Sequence, residues 1–340
     1  MDKAIMIGLD IAKNVFEVHG RTAAGEVVLR RTLKRGQVVK FFAKLPTAVI
    51  GMEACGSAHY WARTLGALGH EVRLMPPAYV KPYVKRHKSD TIDAAACCEA
   101  MGRPDMRFVA IKTAGQQAAL SLHRSRDLLV RQRTQLGNAL RALLSEFGIV
   151  AGQGKAGLER LLEALRAGAL ELPAEALVAA MALAGQRAAL DAAADALESR
   201  IVAQAKADPK ARLLQSAPGV GPLSAHAVLA TMPDPALFKS GRDFAAWLGL
   251  TPRLSGTGGK IHIGGITRQG NSPLRRLLVL GATAWLRQVR ACPEKASPWL
   301  RGLLARRPFK VVAIAQAART ARILWAMLRH NQPWRAPAIG

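Results

Sequence analysis

The chain has 340 residues, half of them apolar, and 49 Lys and Arg against 23 Asp and Glu give a formal net charge of +26. This length suits two or three domains with a sizeable core. So large a positive charge repels itself in a compact fold, which favours a polyanionic partner, first nucleic acid and second an anionic membrane surface. No run of ~20 uninterrupted apolar residues, the length needed to span a bilayer, is present.

The cysteine content and the first residues bear on the compartment. None of the four cysteines stands in a CxxC pair, and charged residues bracket the only early apolar run. We therefore expect no signal peptide, reduced thiols and a cytoplasmic protein that associates with the nucleoid.

The first 112 residues predict a mixed α/β sheet of the ribonuclease H type. Strands first, followed by alternating strand and helix, is the order expected for such a sheet. The predicted strands are 4–9, 14–19, 26–33, 47–53, 71–75 and a last one at 107–111, with helices at 36–45, 57–69 and 89–101.

The remainder of the chain predicts mainly α-helix. Between 113 and 208, leucines recur at helical spacing, and Pro and Gly near 147–157, 168 and 173 divide two long helices. Such helices form either a coiled-coil arm or an ordinary bundle packed on the sheet. The expected domains are therefore 1–112, 113–208 and a C-terminal unit, 209–340.

The C-terminal unit carries the strongest local signal for nucleic acid. Residues 251–340 contain 16 Lys and Arg and one acid, Glu294. The turn at 218–221 (PGVG), followed by a helix, is typical of a helix-hairpin-helix element, whose backbone N–H groups bind phosphate. A plain turn is the alternative. The residues predicted to contact nucleic acid are Lys88, Gly219, Gly221, Lys260, Arg268, Arg275 and Arg276.

Four carboxylates in the first domain predict a metal site. Asp10 and Glu53 each end a predicted strand, and Asp90 and Asp93 stand three apart on one face of a predicted helix. If they converge, their repulsion is relieved by a hard cation such as Mg²⁺ or Mn²⁺. Taken singly, Asp10 could be a turn residue, Glu53 a surface strand end, and Asp90 with Asp93 a helix cap.

The sequence around these acids resembles a known family. The strings GLDIAK, MEACGSAHYWARTLGALGHEVRLMPP and KSDTIDA are similar to the N-terminal domain of the DEDD transposases, a domain that resembles the Holliday-junction resolvase RuvC. The similarity covers roughly residues 4–112. It implies that Asp10, Glu53, Asp90 and Asp93 are the metal-binding tetrad.

The segment 238–284 resembles the C-terminal domain of the same family, the insertion-sequence transposases of IS110 and IS1111 type. The resemblance implies a serine nucleophile in the glycine-rich loop near 255–260, a covalent serine–DNA intermediate, and action on element ends and target DNA. Ser255 is the predicted nucleophile, with Thr257 as its rival, and either hydroxyl could instead cap a turn. The resemblance further implies a homodimer or homotetramer guided by a structured non-coding RNA, and no membrane.

Three functions follow as hypotheses. The first is a transposase or site-specific recombinase that cleaves and rejoins DNA through the carboxylates and Ser255. The second is a metal-dependent nuclease or junction resolvase that hydrolyses DNA without a covalent intermediate. The third is a basic nucleic-acid-binding protein without catalysis, in which loss of Asp10 would change nothing.

Overall fold

The computed structural model describes residues 6–85, 89–232 and 234–335. The chain divides into two compact units, Met1–Gly115 and Gln116–Gly340. The first boundary falls close to the predicted end of the first domain, at residue 112. A further division at 208 remains a proposal.

Unit 1 contains a five-stranded mixed sheet in the order β3-β2-β1-β4-β5. Strands β2 and β3 run antiparallel to their neighbours, whereas β4 and β5 run parallel to β1. This confirms the predicted mixed α/β class. The strand bounds are β1 Met6–Ile11, β2 Val15–Arg21, β3 Val27–Lys34, β4 Val49–Glu53 and β5 Glu71–Met75.

Helices cover both faces of the sheet because successive residues of its central strands face alternately two separate cores. Ile7 and Leu9 of β1 are fully buried in a cluster with side chains from α1 and α2. The opposite face of the sheet carries Gly8 and receives α4, whose Cys97 belongs to a second cluster with Met75. The helices of unit 1 are α1 Val38–Phe42, α2 Ala58–Ala67, α3 Pro77–Val80 and α4 Asp90–Ala100.

Gly8 allows α4 to lie directly on the central strand. A Cβ added at Gly8 would stand 1.9 Å from the carbonyl oxygen of Ala94 and 2.5 Å from the amide nitrogen of Cys98. Both are helix backbone atoms, which cannot move aside as a flexible side chain does. The absence of a side chain at position 8 therefore sets the distance between β1 and α4, and with it the position of the first turn of α4.

We expect Gly8→Ala to destabilise the protein by about 1–3 kcal/mol or more, the usual penalty for an overpacked core. The measurement is chemical denaturation followed by circular dichroism. Gly66→Ala is the matched control, because Gly66 lies in α2 with no atom within 4 Å of an added Cβ. That control should gain about 0.5–1 kcal/mol, since alanine favours helix over glycine. Equal stability of the two variants would contradict this account of the interface.

The predicted last strand at 107–111 is wrong, because the segment forms only a single bridge. Val109 pairs with Leu74, and its N–H donates to the Leu74 carbonyl at 2.7 Å. Phe108 remains 43% exposed, with the Arg73 guanidinium 5.2 Å from its ring centre. With one ladder contact the segment borders β5 without extending the sheet.

Unit 2 is mostly helical, as predicted. Its long helices are α5 and α7, and a shorter helix, α6, fills the segment where the sequence predicted only a break. The bounds are α5 Ala114–Ser145, α6 Gly154–Arg166, α7 Ala174–Ala207, α8 Pro209–Leu214, α9 Pro222–Thr231, α10 Gly241–Trp247, α11 Ser272–Ala291, α12 Pro298–Arg306 and α13 Phe309–His330, with strands β6 Pro252–Thr257 and β7 Lys260–Ile266.

Ion pairs show how α5 and α7 run beside each other. Arg126 Nε donates to Glu198 at 2.8 Å, and Arg133 donates to Asp191 at 2.9 Å. The later residue of α5 pairs with the earlier residue of α7, so the two helices are antiparallel. The buried Arg187 of α7 pairs with Asp191 and with an acid of α6. Whether the pair acts as a coiled-coil arm remains a prediction.

Two helices are long and apolar enough to cross a membrane by length and composition, α7 with a mean hydropathy of 1.2 and α13 with 1.3 over 18 residues. Ala317, Ala321 and Leu324 of α13 lie in the core of unit 2, however. In α7 the charged Arg187 is buried in ion pairs. Core helices pass the same test, so this finding is weak evidence for a membrane.

Candidate active site

Three of the four predicted acids come together at one end of β1. Asp10 lies in β1, and Asp90 and Asp93 lie in the first turn of α4. One carboxylate oxygen of each lies within 4.8 Å of the other two. Ser89 precedes the helix and its hydroxyl accepts a hydrogen bond from the Ile92 N–H, so the cap is Ser89 and both aspartates remain free of that role.

Glu53 lies outside this group but acts on it electrostatically. Strand β4 pairs with β1 at an offset of 43 residues, as in Gly8 with Gly51, and the same offset brings Glu53 level with Asp10. The Glu53 charge contributes to the raised pKa of Asp10. The structure thus places all four acids at one end of the sheet, with Glu53 as the outer member.

The acids make this end of the sheet unfavourable for another negative charge. Burial raises the pKa of Asp10 to about 6, and the charges of Asp93, Asp90 and Glu53 add to the increase, while the Ile11 N–H opposes it. A carboxylate whose pKa is raised by burial and by like charges is characteristic of functional sites. A divalent cation is the ligand that would relieve the repulsion, and carboxylate oxygens are the donors that Mg²⁺ and Mn²⁺ prefer.

One further acid lies on this face and is not evident from the sequence alone. Glu17 of β2 pairs directly with Asp10 across the antiparallel ladder, so both side chains project from the same face of the sheet. It does not belong to the group of oxygens within 4.8 Å. The signal that would have found it is the register of the β1–β2 hairpin, counted back from its turn.

The predicted glycine-rich loop around Ser255 is instead an antiparallel hairpin. Ser255 pairs with His262, and Thr257 pairs with Lys260 across a turn of two glycines with positive φ, Gly258 and Gly259. The expectation of a loop was wrong because the glycines hid the alternating pattern of β7. Every side chain of the two strands up to position 265 is exposed.

The hairpin has one polar and one apolar face. Because residues that pair directly, or that stand two apart, share a face, the hydroxyls of Ser255 and Thr257 lie on the same side as His262 and Lys260. The other face carries Leu254, Ile261 and Ile263, which are 67%, 71% and 74% exposed. The two candidate nucleophiles are therefore accessible and lie beside the side chains of His262 and Lys260.

The PGVG turn packs against α11. A Cβ added at Gly219, where φ is +76°, would stand 2.7 Å from the carbonyl oxygen of Gly281. Gly221 directly precedes α9, whose first turn contains Pro222. The glycines therefore permit a close backbone approach within unit 2, and the contact with phosphate that the sequence predicted for them remains a prediction.

The predicted basic contacts differ in how far their side chains are engaged. Arg275 donates to the carbonyls of Leu248 and Gln269, both at 2.7 Å, and so ties the start of α11 to the end of α10. Arg276 pairs with Asp127 of α5. Lys260 is exposed on the hairpin and Arg268 adopts a positive φ of 58°. Lys88 lies outside the described residues.

A strand-first α/β unit with an acidic cluster at one end of its sheet, in a chain that also has a basic helical unit, is typical of enzymes that act on nucleic acids. Comparison with known proteins identifies the family. The family model of IS110-type DEDD transposases, described as "Transposase", matches residues 7–149. A second model, described as "Transposase IS116/IS110/IS902 family", matches residues 211–297. The chain belongs to this family of DNA transposases.

Curated relatives match over nearly the full length. A probable family 20 transposase of Pseudomonas aeruginosa is 49% identical over 334 residues, covering 97% of this chain and 98% of the relative. A putative transposase of Sinorhizobium fredii is 48% identical, covering 98% and 87%. The transposase for insertion sequence element IS1111A of Coxiella burnetii is 39% identical, covering 98% and 92%.

Proposed function

We propose that this protein is the transposase of an insertion sequence, which cleaves and rejoins DNA strands at a metal-dependent carboxylate centre. The observation that carries the proposal is the meeting of Asp10, Asp90 and Asp93, whose oxygens lie within 4.8 Å of one another. Membership of the transposase family supports DNA as the substrate. The basic charge of +26 supports binding to the phosphate backbone.

Asp10, Asp90, Asp93 and Glu53 are the residues that would hold Mg²⁺ or Mn²⁺. A metal held there would supply activation of an attacking oxygen and stabilisation of the leaving oxygen of a phosphodiester. The chain's own contribution is positional. Strand β1 fixes Asp10, and the contact of α4 with Gly8 fixes the first turn that carries the two other aspartates. A RuvC-like role of this unit is part of the proposal.

The hairpin of unit 2 would supply the covalent step. The Oγ of Ser255 would form a bond to phosphorus while the bond from phosphorus to a deoxyribose oxygen breaks, and that departing oxygen would take up the proton that Ser255 loses and leave as a hydroxyl. Accessibility supports this assignment, since Ser255 is exposed on the polar face with His262 opposite. Thr257 shares that face and is the alternative nucleophile.

The remaining parts of the proposal follow from the family. We infer that the protein works as a dimer or tetramer in the cytoplasm, associated with the nucleoid, and that a structured RNA guides it to element ends and target. The α5–α7 pair would be the coiled-coil arm of a middle region, 113–208. The C-terminal region, 209–340, would bind nucleic acid through its helix-hairpin-helix-like turn and its basic residues.

Removal of divalent metal tests the catalytic proposal. We expect the wild-type protein to cleave supercoiled DNA carrying the element ends in Mg²⁺ or Mn²⁺ and to lose cleavage entirely in EDTA. DNA binding, followed by a gel shift, should persist in EDTA, because the basic surface does not depend on metal. Cleavage that continues at an unchanged rate without divalent metal would refute the carboxylate mechanism.

A further inference from the structure

A cavity of about 310 Å³ opens beside the acidic cluster in unit 1, between the β2–β3 hairpin and α4. Its polar lining consists of His19, Arg21, Arg30 and Lys85, with Thr91 and Glu99 from α4. The volume lies at the lower end of the ~300–1,000 Å³ typical of ligand clefts. None of these residues belongs to the carboxylate group, so the cavity is a separate site on the same domain.

The cavity carries a net positive charge that the described part of the protein does not neutralise. Arg21, Arg30 and Lys85 form no ion pair with any described acid. The single acid of the lining, Glu99, pairs with Arg103 at 2.6 Å and is thereby compensated. Three uncompensated cations around one concave surface select an anion, and a delocalised guanidinium is well suited to phosphate.

His19 adds a buried donor without a partner. The side chain is 4% exposed, and its Nε2 accepts a hydrogen bond from the Arg21 Nε at 3.3 Å. Arginine is always the donor, so the imidazole proton resides on Nδ1. Among the described residues that buried Nδ1 has no hydrogen-bond partner. Burial and the neighbouring arginines lower the pKa of His19, so the ring is neutral and Nδ1–H is a fixed donor.

Register places this donor on the same face of the sheet as the acids. His19 of β2 pairs with Gly8 of β1 on one side and with Arg30 of β3 on the other, while Glu17, two residues away, pairs with Asp10. Two residues along a strand correspond to roughly 7 Å. His19 and Arg30 therefore lie close enough to the acids for neighbouring phosphates of one nucleic-acid strand to reach both places.

We propose that this cavity binds one phosphodiester group of a nucleic-acid strand, adjacent to the group bound at the carboxylates. Arg21, Arg30 and Lys85 would neutralise its charge, and the Nδ1–H of His19 would donate to a phosphate oxygen. The apolar part of the lining, including Tyr83 and Ile92, would contact the attached sugar or base. The site rests on the proposed function in that its ligand is nucleic acid and that a neighbouring phosphate binds at the carboxylates.

A pair of arginines on β3 provides a matched test. Arg30 pairs with His19 and faces the cavity, whereas the next residue, Arg31, pairs with Val18 and projects from the opposite face. Both are exposed, and each loses one positive charge in Arg30→Ala and Arg31→Ala. Affinities of the full chain for a labelled oligothymidylate and a labelled oligouridylate are measured in EDTA at several salt concentrations.

We expect Arg30→Ala to weaken binding and to reduce the slope of log affinity against log salt by about 0.7, the value for one single-stranded phosphate contact. Arg31→Ala should leave that slope nearly unchanged. An effect on the DNA probe alone, or on the RNA probe alone, identifies which strand occupies the cavity. Equal effects of the two substitutions, or no effect of either, would overturn the proposal.

His19 provides the second arm of the test. His19→Asn keeps an N–H donor close to the position of Nδ1 and should retain binding, whereas His19→Leu should lower affinity, with thermal melting confirming that each variant is folded. Indistinguishable affinities of the two folded variants would remove His19 from the site. Because metal-dependent cleavage is off in EDTA, a failure here leaves the carboxylate proposal intact, and a failure of that proposal leaves these affinities unchanged.

Discussion

Asp10→Asn is expected to abolish metal-dependent strand cleavage and, in the same variant, to make the metal-free protein more stable. Asp10 is the central acid of the cluster, and its pKa is raised to about 6 by burial, Asp93, Asp90 and Glu53. The amide keeps the size of the side chain but removes the charge that would bind the cation. Clustered like charges at a functional site lower the stability of the folded protein, and their removal therefore raises it.

The pH dependence of the stability gain has a definite sign. The folded pKa of about 6 exceeds the ordinary value of 3.8, so the folded state binds the proton more tightly than the unfolded state. The stabilisation from protonated Asp10 is complete below about pH 3.8 and is lost as pH rises through 6. The melting temperatures of wild type and Asp10→Asn in EDTA should therefore diverge between pH 4 and 6 and stay separated above.

Added Mg²⁺ should reverse the order of the melting temperatures of wild type and Asp10→Asn. Magnesium that binds only the folded protein raises the melting temperature in proportion to the logarithm of its concentration over Kd. The wild type should show this increase and Asp10→Asn should not. Asp105→Asn is the matched control, an exposed acid of the same unit outside the cluster, and it should cleave DNA and respond to Mg²⁺ as wild type does. Full cleavage by Asp10→Asn would show that strand cleavage does not depend on the carboxylate centre.

The sheet of unit 1 was largely predictable because its signals are local. All five strands lie within two residues of their predicted bounds at each end, and β5 matches them, since apolar β-prone runs end at clear turn residues. The order of the strands, in contrast, was not predictable from local signals. That β1 lies between β2 and β4 depends on contacts between residues distant in sequence, as in the pairing of Gly8 with both His19 and Gly51.

The acids were predictable as residues but not as a geometry. Asp90 and Asp93 share a helix face by simple spacing, which the sequence shows. Their approach to Asp10 depends on Gly8, whose missing side chain lets the backbone of α4 touch β1. A glycine in a strand gives no local signal that distinguishes such a contact from a weak strand position.

The basic cavity was missed because its residues come from separate segments. His19 and Arg30 meet only through the antiparallel register of β2 and β3, and Lys85 reaches them from the segment before α4. The hairpin at 252–266 was missed for a different reason. Five glycines within its strands and turn depress the strand propensity that Ile261 and Ile263 would otherwise signal.

Ser255→Ala is expected to eliminate a covalent protein–DNA adduct that Thr257→Ala retains. Both hydroxyls are exposed on the polar face of the hairpin, so the two substitutions remove equally accessible groups from one strand. The primary hydroxyl of Ser255 reaches phosphorus with less steric hindrance than a secondary one. Neither alanine should change stability by more than about 0.5 kcal/mol, as for other surface positions.

The adduct is measured on a denaturing gel with end-labelled DNA, and the attached peptide is identified by mass spectrometry. Loss of the adduct in Thr257→Ala alone would transfer the role to Thr257.

The presence or absence of an adduct in the wild type distinguishes strand transfer through a covalent intermediate from hydrolysis. If the wild type releases cleaved strands with no adduct, while Asp10→Asn cleaves nothing, the acids act without a covalent step and the protein hydrolyses DNA as a metal-dependent nuclease. The two experiments therefore test the two parts of the proposed chemistry, the acids of unit 1 and the hydroxyls of unit 2.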